Sequence, residues 1–188
     1  MKKSVAIGIV VLIVVGVIFF VVSGRDASDS VNVTNPGQAT VEEKAGASDF
    51  DRFATASLSD YNGNSISLEQ FRGTPVVINS WAVWCPFCRA ELSDFAELQK
   101  EFGDRVTVIA IDRQEPLEKA KGFTDELGIT DDMMFLLDRS DSFYKPIGGF
   151  SMPETIFVNS SGEIVVHKRG PMDLSEMREH TNKIVNNN

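Results

Sequence analysis

The feature that most constrains this chain is a pair of cysteines, two residues apart, that closely follows a short apolar run. Residues 76–78 read Val-Val-Ile, a run typical of a buried strand, and Cys85 follows that segment. Pro86 suits the first position of a helix, because a proline needs no amide hydrogen there. The predicted helix continues to about Phe102, with apolar residues spaced for one side at Phe87, Leu92, Phe95 and Leu98. Cys85 therefore lies at a strand-to-helix corner, with Cys88 one helical turn further on.

This placement indicates thiol chemistry. The chain has only 2 cysteines, and a bridge closing so short a loop constrains the unfolded chain very little, so a stabilising disulfide framework is excluded. At a helix N-terminus, unpaired backbone N–H groups and the helix dipole favour a thiolate, which is the attacking form of cysteine. Cys85 is therefore the predicted nucleophile. Cys88 is close enough to resolve a mixed disulfide formed by Cys85.

Half of a zinc site is the structural alternative for two cysteines at this spacing. Four ligands would be needed, and only His167 and His180 remain, without zinc-finger spacing. We interpret both histidines as surface residues, although the sequence leaves a catalytic Cys–His pair open. We predict no metal, and no cofactor beyond a redox-active Cys85–Cys88 disulfide.

The first 49 residues read as a membrane element and a tether. Residues 5–22 carry no charge and would span about 27 Å as a helix, close to the ~30 Å hydrocarbon core. Lys2 and Lys3 precede this run, which predicts a single-pass anchor over residues 1–23 in a bacterial cytoplasmic membrane, with the N-terminus in the cytoplasm and the domain outside. A cleaved signal peptide is the alternative. Residues 24–49 are polar and predict a flexible tether.

The charge balance excludes one class of partner. The formal net charge is −9, and beyond Lys2 and Lys3 only 16 basic residues face 27 acidic ones. Such a surface repels phosphate backbones, so nucleic acid is not expected as a partner.

The remaining residues, 50–188, predict one α/β domain with a mixed sheet. Alternating runs at 54–58 and 65–68 flank Asn62-Gly63 and predict a hairpin. Strands are predicted at 75–81, 106–111 and 134–137, with a helix over 116–127 that Gly128 ends and a helical turn at 140–144. A second hairpin joins 154–158 to 163–167, and Asp173 is placed to cap a last helix that ends near 185.

Two motifs resemble a known family. Residues 81–91 read WAVWCPFCRAE and residues 153–158 read PETIFV. Together, in this strand–helix context, they resemble the signature of thioredoxin-like proteins, and in particular of the membrane-anchored, extracytoplasmic TlpA/ResA-type thiol–disulfide oxidoreductases. The resemblance covers about residues 53–186 and implies a thioredoxin-like fold with an N-terminal β-hairpin extension.

The resemblance also implies roles for residues near the cysteines. Pro153 matches the family's cis-proline, which would face the cysteines together with Met152 and present backbone to an extended substrate. Glu91 matches an acid that would exchange protons with Cys88, and a solvated glutamate that only favours the helix dipole is the alternative. Asn79 stands where many cytoplasmic thioredoxins have a buried aspartate. The other predicted substrate contacts are Trp84, Pro86 and Phe87.

Trp81 is predicted to lie in the core and Trp84 on the surface, whereas the exposure of Phe87 stays open. Because proline is more often the second residue of the dipeptide between the cysteines, the Pro86-Phe87 order leaves the direction of electron flow open.

The expected function is reductive disulfide exchange by a monomer. The expected partners are the thiols and disulfides of exported proteins, for example apocytochromes in cytochrome c maturation, and a membrane thiol electron donor or acceptor. A disulfide-forming oxidase is the main alternative. A thiol peroxidase and a non-catalytic tethered binding module are further alternatives.

Overall fold

A computed structural model of the protein describes residues 48–186. The predicted anchor over residues 1–23 lies outside the described residues, as does nearly all of the predicted tether. Within residues 48–186, no helix has both the length and the apolar character needed to cross a membrane.

A seven-stranded mixed sheet forms the centre of the domain, in the order β2-β1-β5-β4-β3-β6-β7. The central strands β3, β4 and β5 are parallel, while β1 joins β5 and β6 joins β3 in antiparallel pairs. Since both faces of β3 and β4 are covered, nearly all their residues are buried, and each strand contains a continuous apolar run at 76–78 or 108–111. The strands span Leu58–Asp60 (β1), Ser65–Ile66 (β2), Val76–Trp81 (β3), Thr107–Arg113 (β4), Met134–Asp138 (β5), Glu154–Val158 (β6) and Ile164–Arg169 (β7).

Three α-helices pack on one face of this sheet. They span Pro86–Phe102 (α1), Leu117–Leu127 (α2) and Leu174–Asn186 (α3). Gly103 ends α1 with φ of 54°, and Gly128 ends α2 in the left-handed conformation, as glycines after helices commonly do. Asp173 caps α3 as predicted, because its Oδ1 accepts the N–H of Glu176 at 2.8 Å. The predicted α/β fold is confirmed.

The opposite face is covered by irregular chain. Phe50, Phe53 and Phe143 pack there against alternate residues of the central strands, such as Ile78 and Ile109. Their rings lie 5.0 Å apart for Phe50 and Phe53 and 5.4 Å apart for Phe53 and Phe143. The N-terminal segment and the turn after β5 therefore cover the apolar side chains of this face, as the three helices cover those of the other face.

The predicted N-terminal hairpin is present but shorter than its sequence pattern. Leu58 pairs with Ile66, and β1 adds the hairpin to the edge of the sheet beside β5. Residues 54 and 55 lie in a turn and residues 56 and 57 are irregular instead of strand, because Ser57 directs its backbone N–H and carbonyl to the Ser142 side chain. At the other end, residues 68–71 form a 3-10 helix.

The helical turn predicted at residues 140–144 is a series of single turns. The Asp138 carboxylate accepts the N–H groups of Ser142, Phe143 and Tyr144 at 2.8, 2.9 and 3.2 Å. One side chain thus satisfies the donors that a helix would leave unpaired at its start. The segment then turns back toward β6 and carries the loop that faces the cysteines.

Candidate active site

Cys85 and Cys88 form a disulfide at the start of α1. Cys85 is the N-cap residue, and its Sγ accepts the N–H of Cys88 at 3.1 Å. The Cα atoms are 5.3 Å apart. Cys85 is 3% exposed and Cys88 is fully buried, so only Cys85 presents surface to a reactant. The predicted strand-to-helix corner is confirmed.

The corner rests on a buried indole. Trp81, the last residue of β3, is fully buried as predicted, and its ring packs 6.1 Å from Phe123 and 6.3 Å from Phe135, measured between centroids. The Cys85 N–H then donates to the Ala82 carbonyl at 3.1 Å, which turns the chain into α1. Pro86 occupies the first helical turn.

Aromatic side chains next to the disulfide are exposed. Trp84 is 56% exposed, as predicted, and Phe87 is 62% exposed, which answers the question that its sequence position left open. Sequence reasoning missed Phe150, which is 84% exposed and lies three residues before Pro153. The sequence feature that could have pointed to Phe150 is the position of an aromatic residue between Gly148-Gly149 and Pro153. Arg169 places its guanidinium 5.6 Å from the centre of the Phe150 ring.

The wall facing the cysteines is the loop that ends at Met152-Pro153. The peptide bond between these two residues is cis, as predicted, and Met152 packs against the apolar cluster that contains both cysteines. The Tyr144 hydroxyl donates to the Ser151 carbonyl at 2.9 Å, and the Ser151 hydroxyl donates to the Pro153 carbonyl at 3.2 Å. This facing loop is therefore held by side chains on both sides of its turn.

Glu154, which sequence reasoning treated only as a strand residue, fixes the same loop. Its carboxylate is fully buried, and Oε2 accepts the N–H groups of Phe150 at 2.9 Å and Ser151 at 3.4 Å. Oε1 lies 2.7 Å from Nε2 of His167 and 3.3 Å from Nε of Arg169. A buried charge is tolerated here because it has both cationic and N–H partners.

Both histidines reach the surface only in part, because each also packs into a contact. His167 is part of the Glu154 cluster, and His180 packs edge-on against Phe157 with centroids 5.2 Å apart. Each is partly buried. Within residues 48–186, no group of three or more His, Cys, Asp or Glu side chains could hold a metal ion.

Glu91 lies in the helix one turn after Cys88 and is only 2% exposed, which contradicts the alternative of a solvated glutamate. Its Oε1 accepts from Nδ2 of Asn79 at 3.0 Å and its Oε2 accepts from the N–H of Met172 at 3.1 Å. Asn79 also donates to Oγ1 of Thr155 at 3.0 Å. Burial raises the pKa of Glu91 to about 7, against the opposing effect of these two hydrogen bonds. The group is thus poised to gain or lose a proton near neutral pH.

The raised pKa of Glu91 predicts a pH-dependent stability. Between about pH 4.5 and 7 the folded protein holds a proton on Glu91 that the unfolded chain has released, so its contribution to stability falls as pH rises through this range. Glu91→Gln removes this loss. We expect the free energy of unfolding of the variant, relative to the unchanged protein, to rise by up to about 3 kcal/mol from pH 5 to pH 8. Urea unfolding at both pH values measures it, and a difference that is the same at both would contradict the assignment.

The fold and this site together define a thioredoxin-like thiol–disulfide oxidoreductase with Cys85 and Cys88 as its redox pair. The chain belongs to the Redoxin family, whose model matches residues 44–184.

Known relatives agree with this class. The thiol-disulfide oxidoreductase ResA of Halalkalibacterium halodurans is 32% identical over 115 residues, which cover 60% of this chain and 64% of that relative, just under two thirds of its length. The exposed lipoprotein thioredoxin Etrx1 of Streptococcus pneumoniae superposes with a TM-score of 0.57 at 26% identity, over 68% of this chain and 97% of that one. A secreted disulfide oxidoreductase of Mycobacterium tuberculosis, homologous to E. coli DsbE, shares the fold with a TM-score of 0.64 at 18% identity, over 71% and 98%.

Proposed function

We propose that this protein reduces disulfides in exported proteins at the outer side of a bacterial cytoplasmic membrane. The single observation that carries the proposal is the unequal burial of the two cysteines, since Cys85 keeps a small exposed fraction of 3% and Cys88 is fully buried. A substrate disulfide can reach Cys85 alone, and only an internal attack can involve Cys88. This is the arrangement that a two-step exchange requires.

The steps follow from that arrangement. In the reduced protein the Cys85 thiolate attacks one substrate sulfur, forms a mixed disulfide and expels the other substrate sulfur as a thiolate, which takes a proton. Cys88 then loses its proton and attacks Sγ of Cys85, which releases the second substrate thiol. The substrate gains two electrons and two protons, and the protein is left with the Cys85–Cys88 disulfide.

Glu91 is the proposed acceptor of the proton that Cys88 loses. Both lie on α1 three residues apart, which places their side chains on the same face, and the pKa of Glu91 is raised to about 7. The proposed substrate contacts are the residues that flank the active-site disulfide, namely Trp84, Pro86, Phe87, Met152 and Pro153.

The reducing direction is proposed from the resemblance to the TlpA/ResA-type group, because a buried acid beside Cys88 serves both directions: it accepts the Cys88 proton when a substrate is reduced and returns it when Cys88 leaves during oxidation. A disulfide-forming oxidase with the same residues is the second candidate. The reduction potential distinguishes them, since about −270 mV is the thioredoxin value and about −120 mV is that of a strong oxidant. A thiol peroxidase and a tethered binding module are further alternatives without a specific observation in their favour.

The proposed location rests on the sequence of residues 1–23 and on the likeness to an exposed lipoprotein thioredoxin. A membrane anchor would keep the domain beside a membrane thiol electron donor, which is needed to return Cys85 and Cys88 to the reduced state. Apocytochromes are the proposed example of a substrate. The chain is proposed to act as a monomer.

Replacing Cys88 by alanine tests the exchange mechanism. The variant is expected to stop after the first step, because nothing resolves the mixed disulfide, and to accumulate exported proteins linked to Cys85. Acid quenching, thiol blocking and non-reducing electrophoresis with mass spectrometry would identify them.

The matched control is the double variant Cys85→Ser with Cys88→Ala, which is expected to trap nothing. Equal recovery of linked proteins from both variants would contradict the assignment of Cys85 as the attacking cysteine. If Cys88→Ala trapped nothing under conditions in which the unchanged protein is active, the exchange mechanism itself would be wrong.

A further inference from the structure

A pair of buried carboxyl groups, Asp112 and Glu115, lies beside the active-site corner in addition to Glu91. Asp112 is near the end of β4, directly opposite Trp81 in the parallel register with β3. Glu115 follows three residues later, just before α2, and both side chains are buried. Neither residue has a part in the exchange steps given above.

Glu115 holds the segment that leads into Cys85. Its Oε2 accepts the N–H of Val83, and its Oε1 forms an ion pair with Nζ of Lys119. Val83 and Trp84 connect the end of β3 to Cys85, so this hydrogen bond fixes the backbone immediately before the attacking sulfur. A cleft of about 320 Å³ lined by Trp84 and Lys119 reaches Glu115 from the solvent.

Asp112 has an acceptor that no donor satisfies. Its Oδ1 accepts the N–H of Glu115 at 3.1 Å, whereas Oδ2 is buried without a hydrogen-bond partner among the described residues. An ionised carboxylate can only accept, so this oxygen would carry buried charge at a large cost. A protonated Asp112 would instead donate to the neighbouring Glu115 carboxyl group, whose Oε1, apart from its ion pair with Lys119, is likewise buried without a hydrogen-bond partner among the described residues. Burial first, and then the neighbouring Glu115, raises the pKa of Asp112, which is consistent with a retained proton.

The backbone between the two residues is strained in a way that brings them together. Gln114 has φ of 62°, a left-handed conformation that residues other than glycine seldom adopt. Its N–H donates to the Asp138 carbonyl at 3.1 Å, which holds this conformation in place. The strained turn brings Glu115 back over Asp112, and strain of this kind is concentrated at functional sites.

We propose that Asp112 and Glu115 share one proton and act together as a positioning pair, which fixes the Val83–Trp84 segment ahead of Cys85. The proton lets Asp112 donate to Glu115, and Glu115 keeps its other oxygen for Val83. Loss of the proton places two negative charges side by side and weakens the hold on Val83. The inference deepens the proposed exchange activity, since it assigns part of the geometry of Cys85 to a proton outside the cysteines.

Few other charged groups face the pair. Lys119 on α2 pairs with Glu115 and opposes the rise in the pKa of Asp112. Tyr61, from the N-terminal hairpin, faces Asp112, and burial raises the pKa of its hydroxyl above its usual range, so it stays neutral. Arg113 points to Asp141, with which it makes two hydrogen bonds at 2.7 and 2.9 Å.

The test uses the full-length protein in its disulfide form, in which neither cysteine titrates. The Val83 amide proton is followed by NMR from pH 5 to pH 10. We expect one step in its chemical shift, and we expect Asp112→Asn to abolish that step, because asparagine still donates to Glu115 and cannot ionise. Because no enzymatic turnover is involved, failure here is distinguishable from failure of the proposed function.

Two controls separate this pair from other carboxyl groups. Glu91→Gln removes the step of the Met172 amide, which reports on Glu91, and is expected to leave the Val83 step in place. Glu118→Gln removes an exposed carboxylate of α2 and is expected to change neither step. A Val83 shift that is flat in the unchanged protein, or that survives Asp112→Asn, overturns the proposal.

The activity readout distinguishes positioning from stability alone. At neutral pH, the rate at which an added reagent alkylates Cys85 in reduced Asp112→Asn is expected to lie within about twofold of the rate in the unchanged reduced protein. In Asp112→Ala, which supplies no donor, this rate is expected to fall by up to about tenfold. Equal rates for the two variants contradict the proton-sharing role.

Discussion

Replacement of Cys85 by serine is expected to lower the rate of disulfide exchange by at least about 1000-fold, because a serine hydroxyl does not ionise at neutral pH and cannot act as the attacking thiolate. The fold is expected to survive, since a serine hydroxyl at an N-cap accepts the N–H of Cys88 as the Cys85 sulfur does. The rate is measured with a fluorescent peptide disulfide under a thiol reductant.

Cys88→Ser is the matched variant for this experiment. It is expected to attack the peptide and form the mixed disulfide, whereas Cys85→Ser does neither. Neither variant can form the Cys85–Cys88 disulfide. Their urea unfolding is therefore compared with that of the unchanged protein in its reduced form, which also lacks this disulfide. Retention of more than about 1% of the exchange rate by Cys85→Ser would assign the attack to Cys88, against the burial of that sulfur.

Trp81→Ala is expected to lower the free energy of unfolding by about 3–5 kcal/mol. The side chain is fully buried under the active-site corner, where it fills the space between Phe123 and Phe135. The surrounding sheet and helices hold their positions, so the deletion leaves a cavity as well as losing buried apolar area. Urea denaturation of the reduced protein measures the change and avoids a contribution from the disulfide.

Trp81→Phe is the control for this cavity. It keeps a ring against the same neighbours, and Nε1 of Trp81 has no hydrogen-bond partner among residues 48–186, so no polar contact is lost. We expect a loss of about 1–2 kcal/mol from Trp81→Phe. A loss below about 1 kcal/mol from Trp81→Ala would show that the corner can collapse around the missing ring.

The features that could be predicted from the sequence depend on residues close together along the chain. Pro86 at the first turn and Gly103 at the end fix α1 locally, and its predicted bounds match the structure. The Cys85–Cys88 corner needed only a buried strand followed at once by a helix. The cis bond before Pro153 came instead from the resemblance to thioredoxin-like proteins.

The features that were missed depend on contacts between distant parts of the chain. The burial of Glu91 comes from the Met172 N–H, 81 residues further on, and from Asn79 in a neighbouring strand. No local pattern distinguishes such a glutamate from a solvated one on the same helix. Likewise, the role of Glu115 depends on an N–H 32 residues earlier.

Strand β1, predicted to begin at residue 54, begins at Leu58 because pairing also depends on distant residues. Residues 54–57 alternate like a strand, yet alternation specifies only which side chains are buried. Whether the backbone pairs depends on a neighbouring strand, and here a Ser142 side chain takes the place of one at Ser57.

The irregular cover of one sheet face has a practical consequence for where the domain can be trimmed. The N–H of Phe50 donates to the Gly162 carbonyl at 3.0 Å, and Oδ2 of Asp49 accepts the N–H of Ile164 at 3.2 Å. Asp49 and Phe50 are thus bonded to the β6–β7 hairpin and help to cover the Phe53 and Phe143 rings. Cleavage before Ser48 is expected to leave the core of residues 48–186 intact, whereas cleavage after Arg52 would open it.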